Sequence, residues 1–200
     1  MPNWCNNNIT IKGEKTELNK LIDFVKGEDT SLDFEKLISN KESKDKAKLL
    51  WDEMTFKDKD KRWNDDFETF WFNVGKGHKW NSENWGTKWN SQAEKPQIIN
   101  DKNIVYCFDT AWSPCEPIIK KLIQMFPKLD FMLEYEEWGM CFQGILKSRK
   151  GIIVDERSWN VDCEECPKCE ITTLKPQQDE QFECSDCGHR FTIDEVKKDD

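Results

Sequence analysis

Apolar residues recur along this chain in two distinct rhythms, and their alternation predicts the elements. Asn6 to Lys12 alternates toward Ile9 and Ile11 and ends at Gly13, the pattern of a short strand. Leu18, Leu21, Ile22 and Val25 then follow at helical spacing, with Thr16 as the expected N-cap and Gly27 as the stop. Asn103 to Ala111 places Ile104, Tyr106 and Phe108 on one strand face. From Pro114 to Phe126 the residues Ile118, Ile119, Leu122, Ile123 and Phe126 form a helical stripe. Ser113 and Glu116 have capping-box spacing, and Pro114 falls at the first helical position. Asp130 to Glu136, Cys141 to Lys147 and Ile152 to Val154 read as three further strands, the last two turned at Arg149-Lys150-Gly151.

Two stretches resist this reading. Within 28–66, Phe34, Leu37 and Ile38 fit one helical turn, and from Asn40 to Asp66 the chain is mostly Lys, Asp and Glu, relieved by Leu49, Leu50, Trp51, Met54, Phe56 and Trp63. Either short surface helices or a charged insertion without regular structure accounts for it. Residues 67–90 mix Phe and Trp with Gly and Asn, suggesting a short strand and then an aromatic-rich loop. The order strand, helix, insertion, strand, strand, helix, strand, strand predicts an α+β ferredoxin-like sandwich over residues 1–159. In that fold two helices lie on one face of an antiparallel sheet.

After residue 159 the composition changes. The 200 residues carry 30 basic and 39 acidic side chains, net −9, but residues 160–200 alone hold 12 acidic against 5 basic. This balance opposes general nucleic-acid binding, which requires a concentrated basic face. Five of the nine cysteines crowd into 163–187. No basic region followed by an apolar one opens the chain. A disulfide framework is therefore not expected, and a reducing cytoplasm with a metal is. Cys166-x-x-Cys169 and Cys184-x-x-Cys187 supply four soft ligands, the pattern of a zinc ribbon over 160–200 with Thr172–Leu174 and Phe182–Glu183 as strands and Phe191 beneath. Cys163, three residues before Cys166, is an alternative to Cys169, and iron an alternative to Zn2+. A closed set of four thiolates leaves no coordination position for a substrate, so the expected role is structural.

Catalytic signals are sparse. The sequence holds no phosphate-binding loop, nucleophile elbow or His-Glu-x-x-His helix. His78 reads as an exposed loop residue. Glu134, Glu136 and Glu137 read as a solvated sheet face, and no enzymatic activity is expected. The candidate partner-binding surface is the loop with Lys79, Trp80, Trp85, Lys88 and Trp89, together with Trp112. Basic and aromatic side chains together suit either base stacking or a protein interface.

Four blocks carry a resemblance: Met1-Pro-Asn-Trp-Cys-Asn-Asn, Asn84-Trp-Gly-Thr-Lys-Trp89, Thr110-Ala-Trp-Ser-Pro114, and Tyr135-Glu through Phe142-Gln-Gly144. Over residues 1–155 the chain resembles the YubB-type ferredoxin-like proteins of bacteriophages, plasmids and bacteria. It departs at Cys115, where those proteins tend to have a second proline, and its ribbon stands outside their common core. The resemblance implies the sandwich fold and a mobile-element origin. The expected function is a non-catalytic accessory protein in the bacterial host cytoplasm. It would bind a host or defence protein, as a possible inhibitor, through the Trp-rich loop and the acidic ribbon. The alternative is a single-stranded RNA-binding module with Tyr106, Phe108, Phe131 and Tyr135 as stacking platforms. Acidic or mixed charge on the open sheet face would favour protein; clustered lysine would favour RNA. Asn3, Trp4 and Asn6, the loop 84–89 and the turn 112–114 are expected to meet at one sheet end.

Overall fold

The computed structural model describes residues 3–54, 66–161, 163–166, 168–169, 172–174, 181–184 and 187–192. Its centre is a six-stranded antiparallel sheet in the order β2-β3-β1-β4-β5-β6. The strands are β1 (Trp4–Lys12), β2 (Gln97–Asn100), β3 (Asn103–Ala111), β4 (Asp130–Glu137), β5 (Phe142–Arg149) and β6 (Ile152–Asn160). With α1 (Lys15–Val25) after β1 and α5 (Glu116–Met125) after β3, strands β1 to β4 have the ferredoxin-like connectivity. The β5–β6 hairpin widens the sheet beyond β4.

The period of two decides which face is covered. In β1 the residues Cys5, Asn7, Ile9 and Ile11 are buried, and Ile104, Tyr106, Phe108, Phe131, Leu133 and Tyr135 continue that face in β3 and β4. Leu18, Leu21 and Val25 of α1 and Ile118, Ile119, Leu122 and Ile123 of α5 close over it in one core. Each such buried aliphatic contributes about 1.5–3 kcal/mol of transfer free energy. Burial holds the thiols of this core in their neutral form, pushing Cys5 up to about 12 and Cys115 higher still.

The expected caps are not the ones used. α1 starts at Lys15 after Glu14, one residue before the expected Thr16 cap, with no side-chain cap. α5 starts at Glu116 after Cys115, with Pro117 rather than Pro114 in its first turn. Ser113 is drawn away from capping because its hydroxyl donates to the Gly86 carbonyl.

The largest departure from the sequence reading lies in 67–90. This stretch is helical: α3 (Phe67–Asn73) and α4 (Gly77–Trp85), preceded by α2 (Lys41–Glu53). Asp66 caps α3 by accepting from Thr69 N at 2.8 Å, and Phe67, Phe70 and Trp71 share one helical face. With Ala47, Trp51 and Met54 they form a small second core, in which Trp51 meets Phe70 at 5.2 Å. The aromatic content imitated a strand, although the spacing was that of a helix. Within the insertion, α2 answers the expectation of a short surface helix; Phe56 and Trp63 lie outside the described residues.

The missing strand of the sandwich is instead β2, four exposed residues at the sheet edge, too short to show a period. The insertion thus separates α1 from β2. The strap after α1 is tied down by Phe34 N donating to Asn90 Oδ1 at 2.9 Å and Asn90 Nδ2 donating to Asp33 Oδ1 at 2.7 Å.

One glycine is required by packing. Gly144 faces Tyr135 across the β4–β5 ladder, and a methyl group there meets the Tyr135 ring and lies 2.7 Å from the Arg157 carbonyl. Gly144→Ala is expected to cost about 1–3 kcal/mol in urea unfolding. A loss under about 0.5 kcal/mol would mean that the Tyr135 ring moves aside freely.

Candidate functional site

Three family-like blocks converge at one end of the sheet, as the sequence reading expected. Trp112 N donates to Asn3 O at 2.9 Å, Thr87 Oγ1 donates to Ala111 O at 3.0 Å, and Thr110 Oγ1 donates to Ser113 O at 2.7 Å. Gly86, at φ +81°, brings its loop so close to α5 that a Cβ there would lie 2.7 Å from the Pro114 carbonyl. This locked end presents an aromatic rim. Trp4 and Trp89 meet at 5.8 Å with their rings tilted by 44°, and Lys88 Nζ lies 5.1 Å from the Trp89 ring. Trp112, 43% exposed, holds a left-handed backbone at φ +72°, a strained conformation for a bulky residue. Trp138 and Met140, in the β4–β5 turn, are exposed at the same end. That turn is built by the buried Glu137 carboxylate, which accepts from Gly139 N at 3.0 Å and Met140 N at 2.6 Å.

The predicted partner-binding residues divide accordingly. Lys88, Trp89 and Trp112 belong to the rim. Trp85 does not: it is 1% exposed, meets Phe34 edge-on at 5.8 Å and donates from Nε1 to Ile38 O at 2.8 Å. Trp80 packs partly buried beside it, and Lys79 pairs with Glu83 at 3.6 Å on the exposed side of α4. All three lie on a helix rather than in the expected loop, and helical geometry turns Trp85 and Trp80 toward the core while Lys79 stays exposed. Trp138, Met140 and Trp159, also exposed at this end, were not singled out, because the first two stand in a turn and Trp159 near the end of an exposed edge strand, where no apolar period marks them.

His78 sits on α4 rather than in a loop, with Nδ1 2.7 Å from Phe72 O. Glu134 and Glu136 do share the outer face of β4, while Glu137 points inward as described. On that outer face Asn6, Asn8, Glu134, Glu136, Gln143 and Trp159 line a depression of about 320 Å³. Partial burial raises the Glu136 carboxyl above its ordinary value. The four aromatics considered as RNA platforms, Tyr106, Phe108, Phe131 and Tyr135, are all on the covered face and inside the core.

The four-cysteine cluster is built by two short ladders, β7 (Cys163–Glu165) with β8 (Thr172–Leu174) and β9 (Gln181–Glu183) with β10 (Arg190–Thr192). The Sγ atoms of Cys166, Cys169, Cys184 and Cys187 lie within 4.8 Å of one another, an arrangement compatible with a metal ion. A knuckle positions the second pair: Gly188 N donates to Cys184 O at 2.9 Å and Cys184 N donates to His189 O at 2.8 Å, with Gly188 at φ +67°. Phe182 and Phe191 stack at 5.2 Å beneath it, the latter as expected. The Cys163 side chain, the alternative ligand, lies outside the described residues. One cysteine departs from the expectation of free thiols: Cys141 is disulfide-bonded. Among the described residues no helix is long and apolar enough to cross a membrane.

The sheet order, the two covering helices and the four-cysteine cluster define an α+β protein of the ferredoxin-like class with a small cysteine-rich appendage. The family described as the ferredoxin-like domain in Api92-like protein matches residues 84–187, and the chain belongs to that family. The match crosses the 159/160 boundary and reaches Cys187. A solved structure, protein api92 from Yersinia pseudotuberculosis, is similar at 12% identity with a TM-score of 0.48, covering 81% of this chain and 99% of that one. No curated protein matches the chain.

Proposed function

We propose that this chain is a non-catalytic accessory protein that binds a protein partner through the aromatic rim, with the cysteine appendage as a structural zinc ribbon beside it. One observation carries the reading: Trp4, Trp112 and Trp138, each 42–46% exposed, gather at one sheet end, and Trp112 is held there at the cost of backbone strain. Trp is the residue most concentrated at binding hot spots, and an exposed cluster of it marks an interaction surface. Zinc fits the donor set. Sγ pairs at 3.8, 3.4 and 3.6 Å are close to the ~3.8 Å edge of a tetrahedron with Zn–S of about 2.3 Å. The YubB-type resemblance supports a phage or mobile-element origin, a bacterial cytoplasmic setting and a host or defence protein as target.

The reading is tested by nuclease-treated pull-down from bacterial lysate with the wild-type chain and a Trp4→Ala/Trp112→Ala variant. A stoichiometric protein captured by the wild type and reduced at least about tenfold on the variant is expected, since two hot-spot truncations remove ~2 kcal/mol or more each. Recovery of RNA or DNA without a nuclease-resistant protein overturns it.

A further inference from the structure

The uncovered face of the six-stranded sheet carries a pattern unlike the rim. Strand registers place Asp109, Asn6, Glu136, Gln143 and Trp159 side by side in one row across five strands. The adjacent row is Cys107, Asn8, Glu134, Ile145 and Arg157. Neighbouring strands lie about 4.8 Å apart and alternate residues on one strand about 7 Å apart, so Asp109, Glu134 and Glu136 surround the two asparagines at side-chain reach. Among the described residues these three carboxylates make no ion pair; Asn6 Nδ2 donates to Asp109 Oδ1 at 3.1 Å. The Asn8 Oδ1 atom is covered and has no donor among the described residues. The row ends in the 44% exposed Trp159 ring, against which Arg157 already rests its guanidinium at 5.9 Å while its charge is held by Asp155 at 2.9 Å.

We propose that this face is a docking strip for an arginine-bearing segment of the partner protein, with Asp109, Glu134 and Glu136 taking guanidinium groups and Trp159 stacking on one. The proposal rests on the protein-partner reading above and names the chemistry of that partner. Charge complementarity selects the occupant. Unpaired carboxylates on a shallow, partly desolvated surface repel phosphate backbones and attract cations. A bare metal ion is a poor occupant, because among the described residues only the four cysteines converge on a single point. Arginine is favoured over lysine for two reasons. Its planar fork satisfies carboxylate and amide oxygens together, and its charged flat face is drawn to indole, beside which Arg157 Cζ already sits 5.9 Å from the Trp159 ring centre.

The test uses the full chain and two synthetic peptides, Gly-Arg-Gly-Arg-Gly-Arg-Gly and its lysine counterpart, titrated calorimetrically at about 0.15 M salt, where long-range attraction to the net charge is screened. The arginine peptide is expected to bind about tenfold more tightly than the lysine peptide. Glu134→Gln/Glu136→Gln should weaken it by about tenfold or more. Trp159→Ala should weaken it several-fold. Glu42→Gln/Glu53→Gln, which removes the same charge from α2, should leave it unchanged. Equal binding of both peptides, equal losses in both double variants, or no binding at all overturns the proposal. Failure here with a Trp4/Trp112-dependent partner still captured removes only the arginine strip. Strip-dependent peptide binding without such a partner removes only the rim reading.

Discussion

Replacing Cys184 and Cys187 by serine is expected to abolish metal binding and unfold the C-terminal ribbon while leaving the six-stranded sheet intact. The described apolar core of this appendage is Phe182 and Phe191 with the cysteines themselves, far too little to offset the chain entropy of forming its ladders and knuckle. A four-thiolate zinc site contributes about 10–16 kcal/mol to the folding of such a unit, so loss of two ligands leaves it without its main source of stability. The check is metal analysis together with amide NMR. The purified wild type is expected to hold one zinc per chain and the variant none. Signals of β9 and β10 should collapse while those of β1, β3 and β4 stay dispersed. Chelation of the wild type should reproduce the variant spectrum. Retention of a full equivalent of metal by the variant would show that the ion is held elsewhere.

The second large effect is expected at Trp85. Truncation to alanine empties the volume beneath Phe34 and Trp80 and strips the Ile38 carbonyl of its indole donor at 2.8 Å. Loss of a buried tryptophan costs about 3–5 kcal/mol, a large part of the ~5–15 kcal/mol that holds a domain together. For a chain of this length the Tm should fall by on the order of 10 °C. The neighbouring Trp112→Ala supplies the contrast: that side chain is substantially exposed, so its removal is expected to change unfolding free energy by no more than about 0.5 kcal/mol while weakening partner capture. A Trp85→Ala variant as stable as the wild type would mean that the α4 helix is not anchored to the main core.

The contrast between these two tryptophans shows where sequence reading reached its limit. Trp85 is followed by Gly86 and Trp112 by Ser113 and Pro114, each a turn signal, and neither flank tells which tryptophan fills the core and which faces solvent. The difference arises because Trp85 lies at the end of a helix whose axis is set by residues far away, Phe34 and Ile38, whereas Trp112 ends a strand and is pinned by Asn3. The same limit explains 67–73, where Phe and Trp have high strand propensity yet an Asp66 cap and the partners Ala47 and Trp51 select the helix. It also explains β2, four residues whose strand state exists only because β3 offers an edge.

Local pattern alone determined β1, β3, β4, the α1 and α5 stripes and the four clustered cysteines. In each of these the spacing is itself the physical constraint: a period of two or 3.6 for burial, and two residues between thiols that one tight turn brings together. Only the tertiary structure decided the rest. It placed Asn3, Thr87 and Trp112 at one sheet end and turned Tyr106 and Phe131 inward. It lined up Asp109, Asn6 and Glu136 in one row. Those juxtapositions depend on which strands pair and in what register, and register is set by the burial of the whole sheet face against two helices rather than by any short stretch of residues.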